Sequence, residues 1–178
     1  MELKVIVNPL DGAGPGRRLL SNLFYGCGYN FYRCERQLHA DDLLIRGKLG
    51  QLLQECRAHL RSLEAALRDR QRAPQDASKS QAISRAQLDL AAMETAVSTA
   101  KLPEMSRIHQ RHREERGMLA KLVALDGEVL LALVTLRDAI TRLDDAAAAA
   151  AATGNLLRDS GFSALWSRRE ALLLGQSP

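Results

Sequence analysis

Apolar residues recur every three or four positions from Met105 to Ala150, and this spacing constrains the fold more than any other feature of the chain. It places them on one face of an α-helix, as a stripe that needs a neighbouring element to cover it. The same spacing begins after Arg17 and returns between Ile83 and Ala100. The sequence therefore predicts an all-α fold, an elongated antiparallel helical bundle or coiled-coil hairpin of three to four helices.

Proline residues divide the predicted helices. Pro74 marks the clearest reversal of the chain, because proline stops one helix and Asp76 or Ser78 can cap the next. Pro103 fits either the first turn of a new helix or a kink in a continuing one. We predict one helical-bundle domain, residues 17–178, behind a short extended Gly/Pro-rich arm, residues 1–16. Its helices span about 17–72, 78–102, 103–153 and 156–174.

The first predicted helix contains a weak point between Gly26 and Asp42. Gly26 and Gly28 each cost about 1 kcal/mol relative to Ala in a helix. Asp41 and Asp42 suit the positive end of a fresh helix. A break in this interval is therefore an open alternative to one continuous helix.

The cysteines and the most apolar segment indicate in which cellular compartment the protein is expected. Cys27, Cys34 and Cys56 follow the apolar spacing without a CxxC pair, which favours small core residues in a reducing compartment. The N-terminus has no apolar stretch typical of a secretory signal. The apolar run from Val129 to Leu136 is shorter than the ~20 residues of a membrane span. We expect a cytoplasmic protein that does not span a membrane.

The run from Val129 to Leu136 is apolar on nearly every helix face, so it needs at least two neighbours. One can be the first helix, and the other is either the C-terminal segment or a second copy. The polar residues His112, Glu115 and Asp126 occupy apolar positions of the repeat, where they either specify register and partner or form a wet seam. From this repeat and the tail we predict five interaction residues: Val129, Leu133, Leu136, Ile140 and Trp166.

Five aromatic residues cluster between positions 24 and 32. On a helix, Tyr25, Tyr29 and Tyr32 share one face, while Phe24 and Phe31 share another. Two aromatic faces indicate burial on one side and docking on the other, against the arm or a partner. Local core packing is the favoured alternative. The candidate interaction residues here are Phe24, Tyr25, Tyr29 and Tyr32.

The N-terminus carries a local family resemblance. Val5-Ile-Val-Asn-Pro9, followed by Gly12-Ala-Gly-Pro-Gly16-Arg17, resembles the first strand and loop of the diacylglycerol and sphingosine kinase family. The resemblance implies a loop whose backbone N–H groups cradle phosphate. It covers about a dozen residues, and neither the family's Gly-Gly-Asp-Gly block nor its alternating strands and helices follow. A flexible or draped arm is the favoured interpretation.

The densest basic segment, residues 107–116, does not form one phosphate-facing stripe. On a helix its Arg and His side chains spread around the axis with Glu114 and Glu115 between them. A metal site at His109, His112 and Glu115 is disfavoured by the neighbouring arginines. We therefore expect no nucleic-acid partner, no metal and no cofactor.

No catalytic motif is recognisable, although convergent side chains can form a site without one. The Arg-rich helices and hairpin layout look like the stalk and chaperone proteins of bacterial type III secretion and flagellar export. The sequence predicts a non-enzymatic adaptor or chaperone-like protein that binds a protein partner or forms a homo-oligomer. Two alternatives stay open. One is a small-ligand-binding or enzymatic bundle with a pocket near the Gly-rich loop and tyrosines; the other is a nucleic-acid accessory protein.

Overall fold

A computed structural model describes residues 14–32, 38–70, 74–101 and 117–175. All the regular secondary structure in these residues is helical, which confirms the all-α prediction. The described residues form six helices: α1 (Pro15–Cys27), α2 (Leu38–Arg70), α3 (Pro74–Thr99), α4 (Met118–Thr141), α5 (Ala146–Asp159) and α6 (Phe162–Leu174).

The helices are shorter and more numerous than the expected three to four. The single helix expected over 17–72 is divided, because α1 ends at Cys27 and Gly28 follows with φ +78°. The structure therefore shows the alternative, in which the helix breaks between Gly26 and Asp42. Asp41 lies in the first turn of α2, as its acidic character suggests.

The long helix expected over 103–153 is also interrupted, after Thr141. Asp145 caps the start of α5, where its carboxylate accepts a hydrogen bond from the backbone N–H of Ala148 at 2.7 Å. The helix end expected at 153 is not observed, because α5 runs on to Asp159. Helix α6 therefore starts at Phe162, six residues later than the helix expected from 156.

Helices α2 and α3 pack against each other in antiparallel order. Arg46, near the start of α2, donates hydrogen bonds to the backbone carbonyls of Val97 and Ala100 at the end of α3, at 3.0 and 2.8 Å. Near the other end of the pair, the Glu64 carboxylate accepts bonds from Ser80 and Ser84. Polar contacts thus fix the register of this pair at both ends.

Helix α4 is the centre of the core. It contacts α1, α2, α5 and α6, and Leu122, Val129, Leu133 and Ile140 on it are completely buried. The segment that is apolar on nearly every face thus finds its neighbours within this chain. Each such side chain contributes roughly 1.5–3 kcal/mol through burial. Both α5 and α6 belong to the tail, so the C-terminal segment supplies part of the cover.

Two glycines bring α1 and α4 into backbone contact. A Cβ atom placed on Gly16 would lie 2.6 Å from the carbonyl oxygen of Gly127, far inside van der Waals contact. Leu20, one turn after Gly16, is completely buried beside this contact. Only residues without a side chain permit this approach, which positions α1 on the core.

Several predictions fall on residues that lie outside the described part of the chain. These are residues 1–13 of the extended arm, Cys34, Pro103 and the basic segment 107–116 with His112 and Glu115. Of the two described cysteines, Cys56 is buried as expected, whereas Cys27 is exposed at the end of α1, contrary to its expected place in the core. Among the described helices, none is long and apolar enough to cross a membrane.

Candidate interaction groove and the polar network behind it

A tight turn after α1 redirects the aromatic cluster into the protein interior. Phe31 and Tyr32 both have left-handed backbone angles, with φ of +55° and +57°. Such angles cost about 1–2 kcal/mol for each residue with a side chain. The turn leads from α1 into the region ahead of α2 and buries Tyr29 and Tyr32. The tyrosines therefore do not share a helix face, which corrects the helical interpretation of this cluster.

The Asp41 side chain holds the strained turn in place. Its two carboxylate oxygens accept hydrogen bonds from the backbone N–H groups of Asn30 and Tyr32, at 2.9 and 2.8 Å. Burial raises the pKa of Asp41, and these two hydrogen bonds partly offset that increase. Aromatic ring contacts also stabilise the turn, since Tyr29 lies edge-on to both Phe31 and Tyr32. The first turn of α2 thus clamps the tyrosines against the core.

Asp126 on α4 accepts hydrogen bonds from both tyrosines. The Tyr29 and Tyr32 hydroxyls donate to the same carboxylate oxygen, Oδ2, at 2.9 and 2.7 Å. Its other oxygen, Oδ1, accepts from Nε of Arg169 on α6 at 2.5 Å. All the oxygen contacts of this fully buried carboxylate are therefore within the chain, as a buried charge requires.

Arg169 is completely buried and reaches three other groups of the network. Its Nη2 atom donates to the Tyr32 hydroxyl at 2.9 Å. The same atom forms an ion pair with Asp42 Oδ1 at 2.7 Å, but the angles of this contact do not fit a hydrogen bond. Burial alone would lower the pKa of Arg169, but Asp126, Tyr32 and Asp42 raise it above its ordinary value. The guanidinium group therefore stays charged within this buried network.

Trp166 lies one helical turn before Arg169 and is also buried. Its ring centroid is 5.1 Å from the Arg169 guanidinium carbon and 5.5 Å from that of Arg46, both within cation–π range. Arg46 in turn donates to Asp42 Oδ2 at 2.7 Å. The inner face of α6 is thus held to α2 and α4 by charges and an aromatic ring.

Helix α6 also contributes Leu165 to an open apolar groove of about 420 Å³ between α4 and the α5–α6 pair. We call it the α4–α6 groove. Its rim carries two exposed carboxylates, Glu128 and Asp159, and polar groups from Thr135 and Ser160. The apolar residues that line it are Leu131, Ala132, Leu136, Ala139, Leu156 and Leu165.

A second groove, of about 790 Å³, separates α3 from α5 and α6. Small residues such as Ala92, Ala96 and Gly154 line most of it, and Arg85, Asp89 and Arg158 add charges of both signs. Its rim therefore has no single charge preference. We call it the α3–α5 groove and use it below as the matched control for the α4–α6 groove.

The predicted interaction residues of the helical repeat fall mainly behind the α4–α6 groove. Val129, Leu133 and Ile140 are completely buried, and Leu136 is nearly buried but reaches the groove lining. Trp166 faces the polar network. Burial within the chain gives each of them a packing partner, and their direct contact with another protein stays a prediction.

The predicted aromatic surface is also mostly internal. Tyr29 and Tyr32 bind Asp126, while Phe24 is half-buried and stacks on Phe31 with ring centroids 5.4 Å apart. Tyr25 is the exposed one, at 64%. The pocket expected near the Gly-rich loop and the tyrosines depends on residues 1–13, which lie outside the described residues.

The sequence interpretation singled out Asp126 but missed its partner Arg169 and the role of Asp41 and Asp42. Asp126 stood out because a charged residue interrupts an apolar repeat. Arg169 follows Arg168 in an ordinary amphipathic segment, and no local pattern separates the buried arginine from the exposed one. The acidic pair was visible as a helix start, but its contacts with the turn and with Arg169 were not.

The network resembles a set of catalytic groups only in composition. Tyr29, Asp126 and Arg169 are each 0% exposed, and none of the described grooves is lined by them. A dissolved substrate would not touch these groups in this conformation. Within the described residues, no three His, Cys, Asp or Glu side chains converge as metal ligands. No protein-family model, curated protein or solved structure matches this chain.

Proposed function

We propose that this protein is a non-enzymatic helical adaptor that binds an α-helix of another protein in the α4–α6 groove. The single observation that carries the proposal is that the four described helices packed on α4 leave an apolar strip of it uncovered. Leu131, Ala132 and Ala139 on that strip are only half-buried. A helix laid into an apolar groove is a common way for proteins to cover such a strip.

The dimensions of the groove suit a short helix. Its lining runs along α4 from Glu128 to Ala139, about 16 Å at ~1.5 Å per residue, or roughly three helical turns. Small side chains at Ala132 and Ala139 allow an incoming Leu or Ile to enter between the larger residues. The elongated hairpin layout remains part of this proposal and is supported by the antiparallel pairing of α2 and α3. A cytoplasmic location stays a prediction.

The buried network supports the proposal because it makes α6 a rigid wall. Leu165 on α6 lines the groove, while the adjacent Trp166 and Arg169, one turn after Leu165, are buried in the network. A preformed groove spares its ligand the entropic cost of ordering it. The same burial makes these charged groups poor candidates for catalysis.

Three 14-residue peptides test the proposal. All carry the same Leu stripe at helical spacing, and the flanking positions are Lys, Glu or Gln. We expect at least one peptide to bind the protein in calorimetry and to shift the amide NMR signals of Leu131, Ala132 and Leu165. Ala132→Gln should weaken that binding at least tenfold, because it fills the groove without changing its charge.

Ala92→Gln provides the matched control, since Ala92 is exposed in the α3–α5 groove. It should leave peptide binding unchanged. If Ala132→Gln fails to fold, Thr135→Gln serves as a second variant, because it also fills the groove and lies at an exposed lining position. Absence of binding by all three peptides at millimolar concentration would overturn the proposal. A concentration-dependent dimer that Thr135→Gln dissociates would also overturn the proposal, because the groove would then bind a second copy of this chain.

A further inference from the structure

We infer that the helix recognised by the α4–α6 groove carries basic residues beside its apolar stripe. This inference rests on the proposed function and names the chemical class of its partner. It follows from the charges on the rim of the groove rather than from its apolar lining.

Among the residues that the structure describes, the charged ones that line the α4–α6 groove are the carboxylates Glu128 and Asp159. Both are exposed, and neither forms an ion pair with the described residues. Carboxylates that bridge helices elsewhere are paired, for example Glu94 with Arg57 and Glu55 with Arg137. The rim therefore presents two negative charges that an incoming cation can pair with.

The end of α5 and the start of α6 meet at the groove. Leu156, Asp159 and Ser160 bring the last turn of α5 to the groove. The C-terminal end of a helix carries a partial negative charge of about half an elementary charge. Arg158 lies in the same turn but lines the α3–α5 groove instead. Helix α6 starts at Phe162 beside this end and carries the opposite partial charge there, so it is the carboxylates Glu128 and Asp159 that favour a cation.

The surroundings argue for a protein helix rather than a membrane surface. The whole chain has a formal net charge of +4, so an acidic rim around this groove departs from the overall balance. Anionic lipid headgroups would be repelled by Glu128 and Asp159. A helix with Leu or Ile on one face and Lys or Arg beside it satisfies both the lining and the rim.

The peptide panel described above tests the inference by charge. We expect the Lys-flanked peptide to bind about tenfold more tightly than the Glu-flanked one, because it gains two exposed ion pairs where the Glu-flanked peptide meets like charges. Raising NaCl from 50 to 500 mM should weaken Lys-flanked binding severalfold and leave Gln-flanked binding nearly unchanged.

The double substitution Glu128→Gln with Asp159→Asn provides the decisive variant. It keeps the shape of the rim but removes both charges, so the preference for Lys over Glu flanks should fall to about twofold while Gln-flanked binding is retained. Asp89→Asn, in the α3–α5 groove, is the matched control and should preserve the full preference.

The outcomes separate the inference from the proposed function. Binding in the groove with equal affinity for all three peptides, or tighter binding of the Glu-flanked one, would overturn the inference and leave the function standing. A Lys preference that survives the double substitution would also overturn it. Failure of every peptide to bind would overturn both.

Discussion

Arg169 on α6 and Asp126 on α4 form an ion pair in which both side chains are completely buried, with Nε 2.5 Å from Oδ1. The pair joins the last described helix to the central one across 43 positions of sequence. Tyr29 and Tyr32 bind the remaining carboxylate oxygen and so attach the turn after α1 to the same point. Three distant parts of the chain thus meet at one carboxylate.

Breaking this pair should destabilise the protein strongly, because the remaining charge would be buried without a partner. We expect Arg169→Met to lower the free energy of unfolding by about 3–5 kcal/mol, measured by urea denaturation. Arg168→Met, at the exposed neighbouring position, should change it by less than about 0.5 kcal/mol.

A double-mutant cycle separates the charge effect from lost packing. Asp126→Asn with Arg169→Met removes both charges of the pair, and an amide oxygen can still accept from the tyrosines. Asp42 loses its ion pair with Arg169 in both Arg169→Met and the double variant, so the cycle cancels this loss. The double variant should be clearly more stable than the sum of the two single effects predicts. Simple additivity would show that the pair does not interact as the geometry implies.

Alkaline pH should unfold the protein through the buried tyrosines. Burial, and then Asp126, raises the pKa of Tyr29 and of Tyr32 above the ordinary value of 10.0. Their hydroxyls stay protonated in the folded state but ionise above pH 10 in the unfolded state. The stabilisation is therefore complete below pH 10 and is lost above it by about 1.4 kcal/mol per pH unit for each tyrosine.

Denaturant titrations between pH 8 and 12 measure this loss. Tyr29→Phe should remove one tyrosine's share of the slope, whereas Tyr25→Phe, at the exposed position, should leave it unchanged. Cys56 adds to the slope in every variant, since burial raises its pKa to about 11. Equal slopes for wild type and Tyr29→Phe would contradict the prediction.

Acid should weaken the α2–α3 contact at Glu64. Burial would raise the pKa of this carboxyl, but hydrogen bonds from Ser84, Ser80, Arg68 and Gln87 together lower it. A lowered pKa gives stability that is present above the unfolded value, near 4.5, and is lost as the pH falls below it. Glu64→Gln should therefore flatten the decline in unfolding free energy between pH 5 and 3. An unchanged decline in this variant would exclude Glu64 as its source.

Gly16 should not tolerate a methyl group. Gly16→Ala places a Cβ atom against the backbone of Gly127, so we expect a loss of about 1–3 kcal/mol in thermal or urea unfolding. Gly26→Ala in the same helix meets nothing within 4 Å and should stabilise by about 0.5–1 kcal/mol. Similar effects of both substitutions would argue against the close approach of α1 and α4.

One member of the buried network could be recognised from the sequence, but the contacts of the other members could not. Asp126 was detectable because it interrupts an apolar repeat that is otherwise regular. The tyrosines were placed on a helix face because their spacing fits one, but the left-handed turn at Phe31 and Tyr32 overrides that spacing. Asp41 stabilises the turn from outside it, and local sequence patterns do not record such a contact.

The sequence by itself determined that the fold is built from helices, because apolar spacing and helix propensity act within a few turns of the chain. It also determined that the segment after Gly127 needs several neighbours. Only the tertiary structure decided which neighbours these are, and hence which part of the apolar surface remains open as the α4–α6 groove. The pairing of Arg169 with Asp126, rather than its neighbour Arg168, was decided in the same way. Such choices depend on burial and on distances between remote residues, which exist only once the helices have packed.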